Sequence, residues 1–279
     1  VLAIRVKPDQ ALDLDKVETR ADGGFEKEAG LARLAELGAE LSELTELLFA
    51  AGTHSLLVIL QGRDTSGKDG SIRGILGRTN VQSTRVVPFK VPTPAESAHD
   101  FLWRVHAHTP ARGEIAIFNR SHYEDVLVVR VHDLVPESVW KARYDHINHF
   151  EKLLTDSDVI IVKAYLHISM KAQEERLLER EADPNKAWKL NVGDWEERAF
   201  WDDYTRAYQA ALGRCSPENA PWHILPADRK WFRDLALTEL IVETLRPYAK
   251  HWRESLAELG KAKSAELSAF RKSTKNSGG

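Results

Sequence analysis

Leu56-Leu57-Val58-Ile59-Leu60-Gln61-Gly62-Arg63-Asp64-Thr65-Ser66-Gly67-Lys68-Asp69-Gly70 decides the fold. Five consecutive apolar residues predict a strand covered on both faces. Gly62 and Gly67 let the backbone wrap tightly, so that successive N–H groups point inward at an anion. Lys68 adds a point charge, and the helix expected from about Gly70 to Gly77 offers its N-terminus to phosphate oxygens. The spacing G-x4-G-K matches the P-loop. The next residue departs from it: where a Ser or Thr hydroxyl normally helps hold Mg²⁺, this chain has Asp69. A carboxylate, Asp64, sits inside the loop instead. The stretch therefore predicts a phosphate site with an unusual way of holding its metal, and Asp64 is the candidate metal ligand.

Working outward, four more short apolar runs read as strands: 85–89, 114–118, 158–166 and 222–225. Helical patterns fall between them, over 26–51, 95–106, 123–131, 136–155, 170–182, 194–213 and 228–245. Leu31, Leu34, Leu41, Leu44 and Leu48 form one stripe of the first helix, suited to a core or to a subunit contact. Alternation of strand and helix predicts an α/β fold: a five-stranded parallel sheet with helices on both faces. Ligands of such sheets bind at the carboxyl ends of the strands. Gln61-Gly62, Lys90, Asn119-Arg120, His167 and Pro226-Ala227 are expected to cluster there. Residues 1–25 read as a polar N-terminal extension, 26–248 as the folded domain with a lid over about 170–200, and 249–279 as a partly disordered tail.

The bulk properties narrow the class. The 279 residues carry a net charge of −3, which gives no reason to expect nonspecific nucleic-acid binding. Residues 1–61 hold 6 Lys and Arg against 11 Asp and Glu, whereas 62–120 hold 9 against 5. The basic excess thus coincides with the P-loop, as a local polyanion site requires. The single cysteine, Cys215, excludes an internal disulfide and fits a reducing cytoplasm. No apolar run reaches membrane length, and the N-terminus lacks a signal peptide's apolar core.

Phosphoryl transfer needs positive charge around the moving group and little else. Arg120, at the end of a strand, is placed to face the P-loop, and its always-charged fork suits the task better than Lys. Asn119 stands where many P-loop enzymes carry a metal-binding Asp; an amide orients a phosphate or water but brings no negative charge. Lys90, Arg104, Arg73 and Arg78 are collective candidates for a phosphate path. The stretch 176–189 reads as a lid, with two helices meeting at Asp183-Pro184-Asn185 and Arg176, Arg180, Lys186 and Lys189 around the break. Lids of this kind exclude water and bring cations to phosphates. Trp201, Tyr204 and Tyr208 at helical spacing read as core.

Together these motifs resemble the polyphosphate kinase 2 family over most of residues 40–248. The resemblance rests on Gly62–Gly70, on His99-Asp100-Phe101-Leu102-Trp103-Arg104 and on Phe118-Asn119-Arg120-Ser121-His122-Tyr123-Glu124-Asp125-Val126-Leu127. Trp201-Asp202-Asp203-Tyr204 and the segment from Ala220 to Trp231 continue it. It implies a thymidylate-kinase-like, three-layer P-loop fold and Mg²⁺-dependent transfer of a terminal phosphate between inorganic polyphosphate and an adenine nucleotide. By motif position, Asp64, Lys68, Asn119, Arg120, Arg176 and Arg180 would carry catalysis. Gly62, Arg63, Thr65, Ser66, Gly67, Asp69, Gly70, Ser71, Arg73, Lys90, Lys186 and Lys189 would bind phosphates, and Arg104, Glu124 and Asp125 the nucleotide. A homodimer or homotetramer is implied; a cytoplasmic location, with neither nucleic acid nor membrane as partner, is expected from the cysteine count, the charge and the hydropathy. Many members carry Asp-Arg-Ser where this chain has Asn119-Arg120-Ser121, and the Asn form resembles the subgroup that phosphorylates AMP as well as ADP.

The rival reading is an ATP-dependent nucleoside monophosphate kinase, which shares fold and lid but binds a base on the donor side. Asp69, in place of the usual hydroxyl, argues against it. A guanine-reading Asn-Lys-x-Asp segment is not found, which argues against a nucleotide switch.

Overall fold

The computed structural model describes residues 1–9 and 11–276; of 186, 187, 189 and 273–276 it describes the backbone alone. One six-stranded sheet organises the chain, in the order β1-β6-β5-β2-β4-β3. The strands are β1 (Ile4–Arg5), β2 (Ser55–Gln61), β3 (Thr84–Pro88), β4 (Ile115–Asn119), β5 (Val159–His167) and β6 (Trp222–Pro226). All five predicted strands are present and parallel, each within about two residues of its expected place. The sixth is a correction: β1 pairs antiparallel with β6, so the sheet is mixed. Two residues are too few to show alternation, which is why the strand left no mark on the sequence. The segment around it is likewise part of the body rather than an appendage. His167 Nε2 lies 3.0 Å from the Leu14 carbonyl, and Thr19 donates to Asp228 at 2.9 Å.

The helices are α1 (Lys27–Ala51), α2 (Lys68–Leu76), α3 (Pro94–Ser97), α4 (Trp103–His106), α5 (Val128–Val131), α6 (Glu137–Thr155), α7 (Met170–Glu181), α8 (Val192–Glu196), α9 (Trp201–Arg214) and α10 (Lys230–Asn276). Every residue of β2 and β5 is buried, as central parallel strands require. On one face of the sheet α1, α2 and α10 pack against Leu56, Val58 and Leu60; on the other α6 and α9 pack against Leu57 and Ile59. Leu34, Leu41, Leu44 and Leu48 enter the first of these cores, so the stripe of α1 is interior; Leu31 is 43% exposed.

Four helix expectations are corrected: the helix over 194–213 is α8, a 3-10 turn Glu197–Phe200 and α9, and three others differ as follows. The helix over 95–106 is two short turns, because the Asp100 carboxylate accepts from the N–H groups of Leu102 and Trp103 and restarts the chain. The helix over 123–131 opens as a 3-10 turn, His122–Val126, capped by Ser121, before α5. The last helix does not stop at 245 but continues through Pro247 to Asn276, because Ala249 and Trp252 carry its buried face onward. The expected tail is therefore helical as far as Asn276; residues 277–279 lie outside the described residues.

Candidate active site

The P-loop leaves β2 at Gln61 and enters α2 at Lys68. Gly67 caps that helix at φ +103°, a conformation that L side chains rarely adopt, and a Cβ there would lie 1.8 Å from Nη1 of Arg233. Thr65 also holds a left-handed φ, +59°. Gly62 is closed in differently: a Cβ would meet Ser66 Oγ at 2.6 Å and the Leu166 carbonyl at 2.9 Å. Lys68 Nζ is buried beneath the loop and donates to the carbonyls of Gly62 at 2.6 Å and Arg63 at 3.1 Å. Burial first, and the nearby Arg120 charge second, lower its ammonium to about 8.

Arg120 follows β4 in a left-handed conformation, φ +63°. It donates to Asp64 Oδ1 at 2.7 Å and to Glu124 Oε2 at 3.3 Å. Burial disfavours its charge, but the Glu124 and Asp64 carboxylates outweigh that and hold the guanidinium above its ordinary range. Asn119 donates to Asp69 Oδ1 at 3.0 Å, which ties the end of β4 to the start of α2. Asp64, Lys68, Asp69, Asn119 and Arg120 thus meet at the carboxyl edge of the sheet, where the alternation of strand and helix places a ligand.

A cleft of about 540 Å³ opens there between the P-loop and the segment expected as a lid. Lys68, Arg120, Arg176, Arg180 and Lys230 line it, together with Asp64, Asp69, Glu179 and Asp194. Arg180 pairs with Asp194 at 2.5 Å, and burial followed by the Asp64 charge raises the Asp194 carboxyl. Beside the cleft, a small aromatic cavity is lined by Trp201, Tyr204 and Tyr208 with Glu124, Glu197 and Gln173.

Not every predicted residue faces the cleft. Arg63 lines the aromatic cavity instead: it stacks on Trp201 at 3.7 Å and donates to the Trp201 carbonyl and to Thr205 Oγ1. Ser71 donates to Asp234 at 2.8 Å, and Arg73 is exposed on α2. Lys90 is exposed; its carbonyl accepts from the buried Arg104 at 2.8 Å. Asp125 pairs with Arg143 at 2.9 Å. Arg73, Lys90, Arg104 and Asp125 line neither cavity. Arg176 lines the cleft, yet its donors go to the carbonyls of Thr65, Ser66, Ala227 and Asp228, so it braces the P-loop from α7. The side chains of Lys186 and Lys189 lie outside the described residues.

Sequence reasoning missed Arg233. This buried residue of α10 packs its guanidinium against Gly67, donates to the Ser66 carbonyl at 3.4 Å and pairs with Asp234. It also missed Gln173, which donates to the Asp64 carbonyl at 3.2 Å, and Asp194. Gln173 lies one helical turn before Arg176 on α7, a spacing that would have placed it beside the loop.

The model of the family described as Polyphosphate kinase 2 (PPK2) matches residues 24–253. The AMP/ADP-polyphosphate phosphotransferase of Meiothermus ruber is 47% identical over 250 residues, covering 89% of this chain and 94% of that protein. The ADP-polyphosphate phosphotransferase of Rhodopseudomonas palustris is 39% identical over 264 residues, 90% of this chain and 91% of that protein. Among solved structures, polyphosphate kinase 2 from Arthrobacter aurescens TC1 superposes with a TM-score of 0.83 at 40% identity, covering 88% of this chain and 92% of that one. With a P-loop that carries Asp69 after its lysine, a strand-end Arg120 and a match over most of its length, the chain belongs to the polyphosphate kinase 2 family.

Proposed function

We propose that this chain transfers the terminal phosphate of inorganic polyphosphate to AMP and to ADP, reversibly, on a thymidylate-kinase-like P-loop fold. The observation that carries this is the cleft lined by Lys68, Arg120, Arg180 and Lys230 at the mouth of the P-loop. A polyphosphate donor has no base, so cations along its path suffice to hold it. An acceptor phosphate oxygen forms a bond to the terminal phosphorus as the bond from that phosphorus to the bridging oxygen breaks, and the donor leaves one unit shorter. Lys68 and the N–H groups of the loop hold the donor's terminal phosphates. Arg120 neutralises charge on the transferring group. Arg176 and Arg233 keep the loop in shape, and Arg180 and Lys230 carry the chain beyond it. Asn119 beside Asp69 puts a neutral amide where a carboxylate would repel the acceptor's phosphates and draw the metal elsewhere, which suits AMP as well as ADP.

The residues present fit Mg²⁺. Asp64 and Asp69 supply hard carboxylate oxygens at the cleft, and among the described residues no group of three or more His, Cys, Asp or Glu gathers into a closed cage. Mg²⁺ commonly takes one or two carboxylates and completes its shell with water and substrate phosphates. When bound it neutralises phosphate oxygens, and Asp64 and Asp69 are the residues to hold it. Among the described residues no helix is long and apolar enough to cross a membrane. A cytoplasmic location, expected from the single cysteine, and a homodimer or homotetramer, implied by the family resemblance, belong to the same proposal.

Donor choice tests the reading against an ATP-dependent monophosphate kinase. AMP is offered with Mg²⁺ and either polyphosphate or ATP, and ADP formation is followed by chromatography. Faster turnover with polyphosphate supports the proposal; turnover with ATP alone overturns it.

A further inference from the structure

Behind the loop that carries Arg120 lies a charged cluster shut off from solvent. Glu151 of α6 and Lys163 of β5 form an ion pair in which both side chains are 0% exposed. Lys163 Nζ also donates to the Cys215 carbonyl at 2.7 Å and to the Tyr123 hydroxyl at 2.9 Å. That hydroxyl donates to Glu151 Oε1 at 2.8 Å, and His122 Nε2 lies 3.2 Å from the same oxygen. Burial disfavours the Glu151 carboxylate, but Lys163 and His122 outweigh it and hold it ionised below the usual range. An ionised carboxylate only accepts, so both rings are held as donors.

Stability alone does not account for this cluster. A buried ion pair costs desolvation that its attraction roughly repays, and apolar residues of similar volume commonly hold a helix to a sheet as well or better. The feature the charges do fix is the pair of rings directly after Arg120 and Ser121. Arg120 sits at φ +63°, which a bulky residue keeps only where its surroundings over-determine it. Its N–H donates to the Leu60 carbonyl at 3.1 Å. Ser121 Oγ accepts from Gln61 at 3.3 Å and from the Tyr123 N–H at 3.2 Å. One end of the turn is thus tied to β2; at the other end His122 bonds to Glu151 and Tyr123 to Glu151 and Lys163, while their rings pack edge-on against Phe150 and Trp222.

We propose that Glu151 and Lys163 are positioning residues: acting through His122 and Tyr123, they hold the Arg120 turn so that its guanidinium points between Asp64 and Glu124. They touch no substrate. The inference rests on the reading of Arg120 as the group that stabilises the transferring phosphate.

A double-mutant cycle in kcat tests it. Glu151→Gln and Tyr123→Phe are each measured in the wild-type chain and in Arg120→Ala, at saturating polyphosphate and ADP, with thermal melting as the folding control. Tyr123→Phe loses a single hydroxyl and keeps the test available if Glu151→Gln folds poorly. The expected result is a fall in kcat of about tenfold or more in the wild-type background with KM changed less than about twofold, and less than about a twofold fall once Arg120 is absent. An equal fall in both backgrounds, or a lowered melting temperature with kcat intact, overturns the proposal. If Arg120→Ala itself leaves kcat unchanged, the reading of Arg120 fails and the proposal falls with it.

Discussion

Removing the Arg120 guanidinium is predicted to damage catalysis severely while leaving the fold standing. The side chain is 40% exposed, so an effective dielectric constant near that of a protein surface applies, rather than that of a dry interior. At about 4 Å and a dielectric of about 20, a unit charge is worth about 4 kcal/mol to a developing opposite charge. At about 1.4 kcal/mol per decade, Arg120→Ala should lower kcat by about 10³. The Asp64 and Glu124 carboxylates stay behind and repel the phosphates, so the loss should not be smaller. Arg120→Lys restores a charge but cannot fork to Asp64 at 2.7 Å and Glu124 at 3.3 Å together. It should recover about one decade of the loss. The part-exposed ion pairs contribute under about 1 kcal/mol to stability, so the melting temperature should move by only a few degrees. The assay is ATP formation from ADP at saturating polyphosphate, coupled to luciferase. A fall in kcat below about tenfold, with the effect concentrated in KM, would show that Arg120 binds ground state and transition state alike and would refute the reasoning.

Gly67→Ala should cost about 1–2 kcal/mol for the left-handed backbone alone, besides displacing Arg233, and should lower the melting temperature and raise KM for polyphosphate together; a melting temperature within about 1 °C of wild type contradicts this. Lys68 gives a pH dependence. Its folded value of about 8 lies below the ordinary 10.5, so the unfolded chain holds the extra proton between those values and stability rises with pH across that window. Phosphate binding needs the charged form, so kcat/KM for polyphosphate should fall above about pH 8, while bound phosphates move the limb of kcat higher; a kcat/KM that stays flat up to about pH 9.5 contradicts it. Asn119→Asp should change the ratio of kcat/KM for AMP to that for ADP, and an unchanged ratio sinks the argument from the neutral amide. Cys215 is buried, and burial pushes its thiol up to about 12, so iodoacetamide should leave the native enzyme active; rapid inactivation would show that this pocket opens.

The parts of the site that sequence shows are the parts built locally. Gly62, Gly67 and Lys68 are spaced by the loop itself, and Arg120 is marked by the end of an apolar strand. Residues that act across the fold left weaker traces. Arg233 meets Gly67 only because α10 crosses the P-loop, and nothing near it in the chain signals that contact. Arg176 reads as a cation brought to phosphates, yet four backbone carbonyls take its donors; whether an arginine braces a loop or reaches a ligand depends on acceptors that a sequence does not display. Arg63 stands inside the loop motif but stacks on Trp201, an aromatic residue of a helix distant in sequence. The last helix, expected to end at 245, runs on through Pro247, because the burial of Trp252 outweighs the hydrogen bond the proline removes. Lys163 sits inside an apolar strand, and its partner Glu151 comes from α6, a pairing made only by the packing of that helix on the sheet.

The measurement that bears most directly on the account is ATP formation from polyphosphate and Mg²⁺ with either ADP or AMP as acceptor, followed by luciferase, with Lys68→Ala beside the wild-type chain. ATP should form from both acceptors, and Lys68→Ala should abolish it. No ATP from either acceptor, or ATP undiminished in Lys68→Ala, would contradict it.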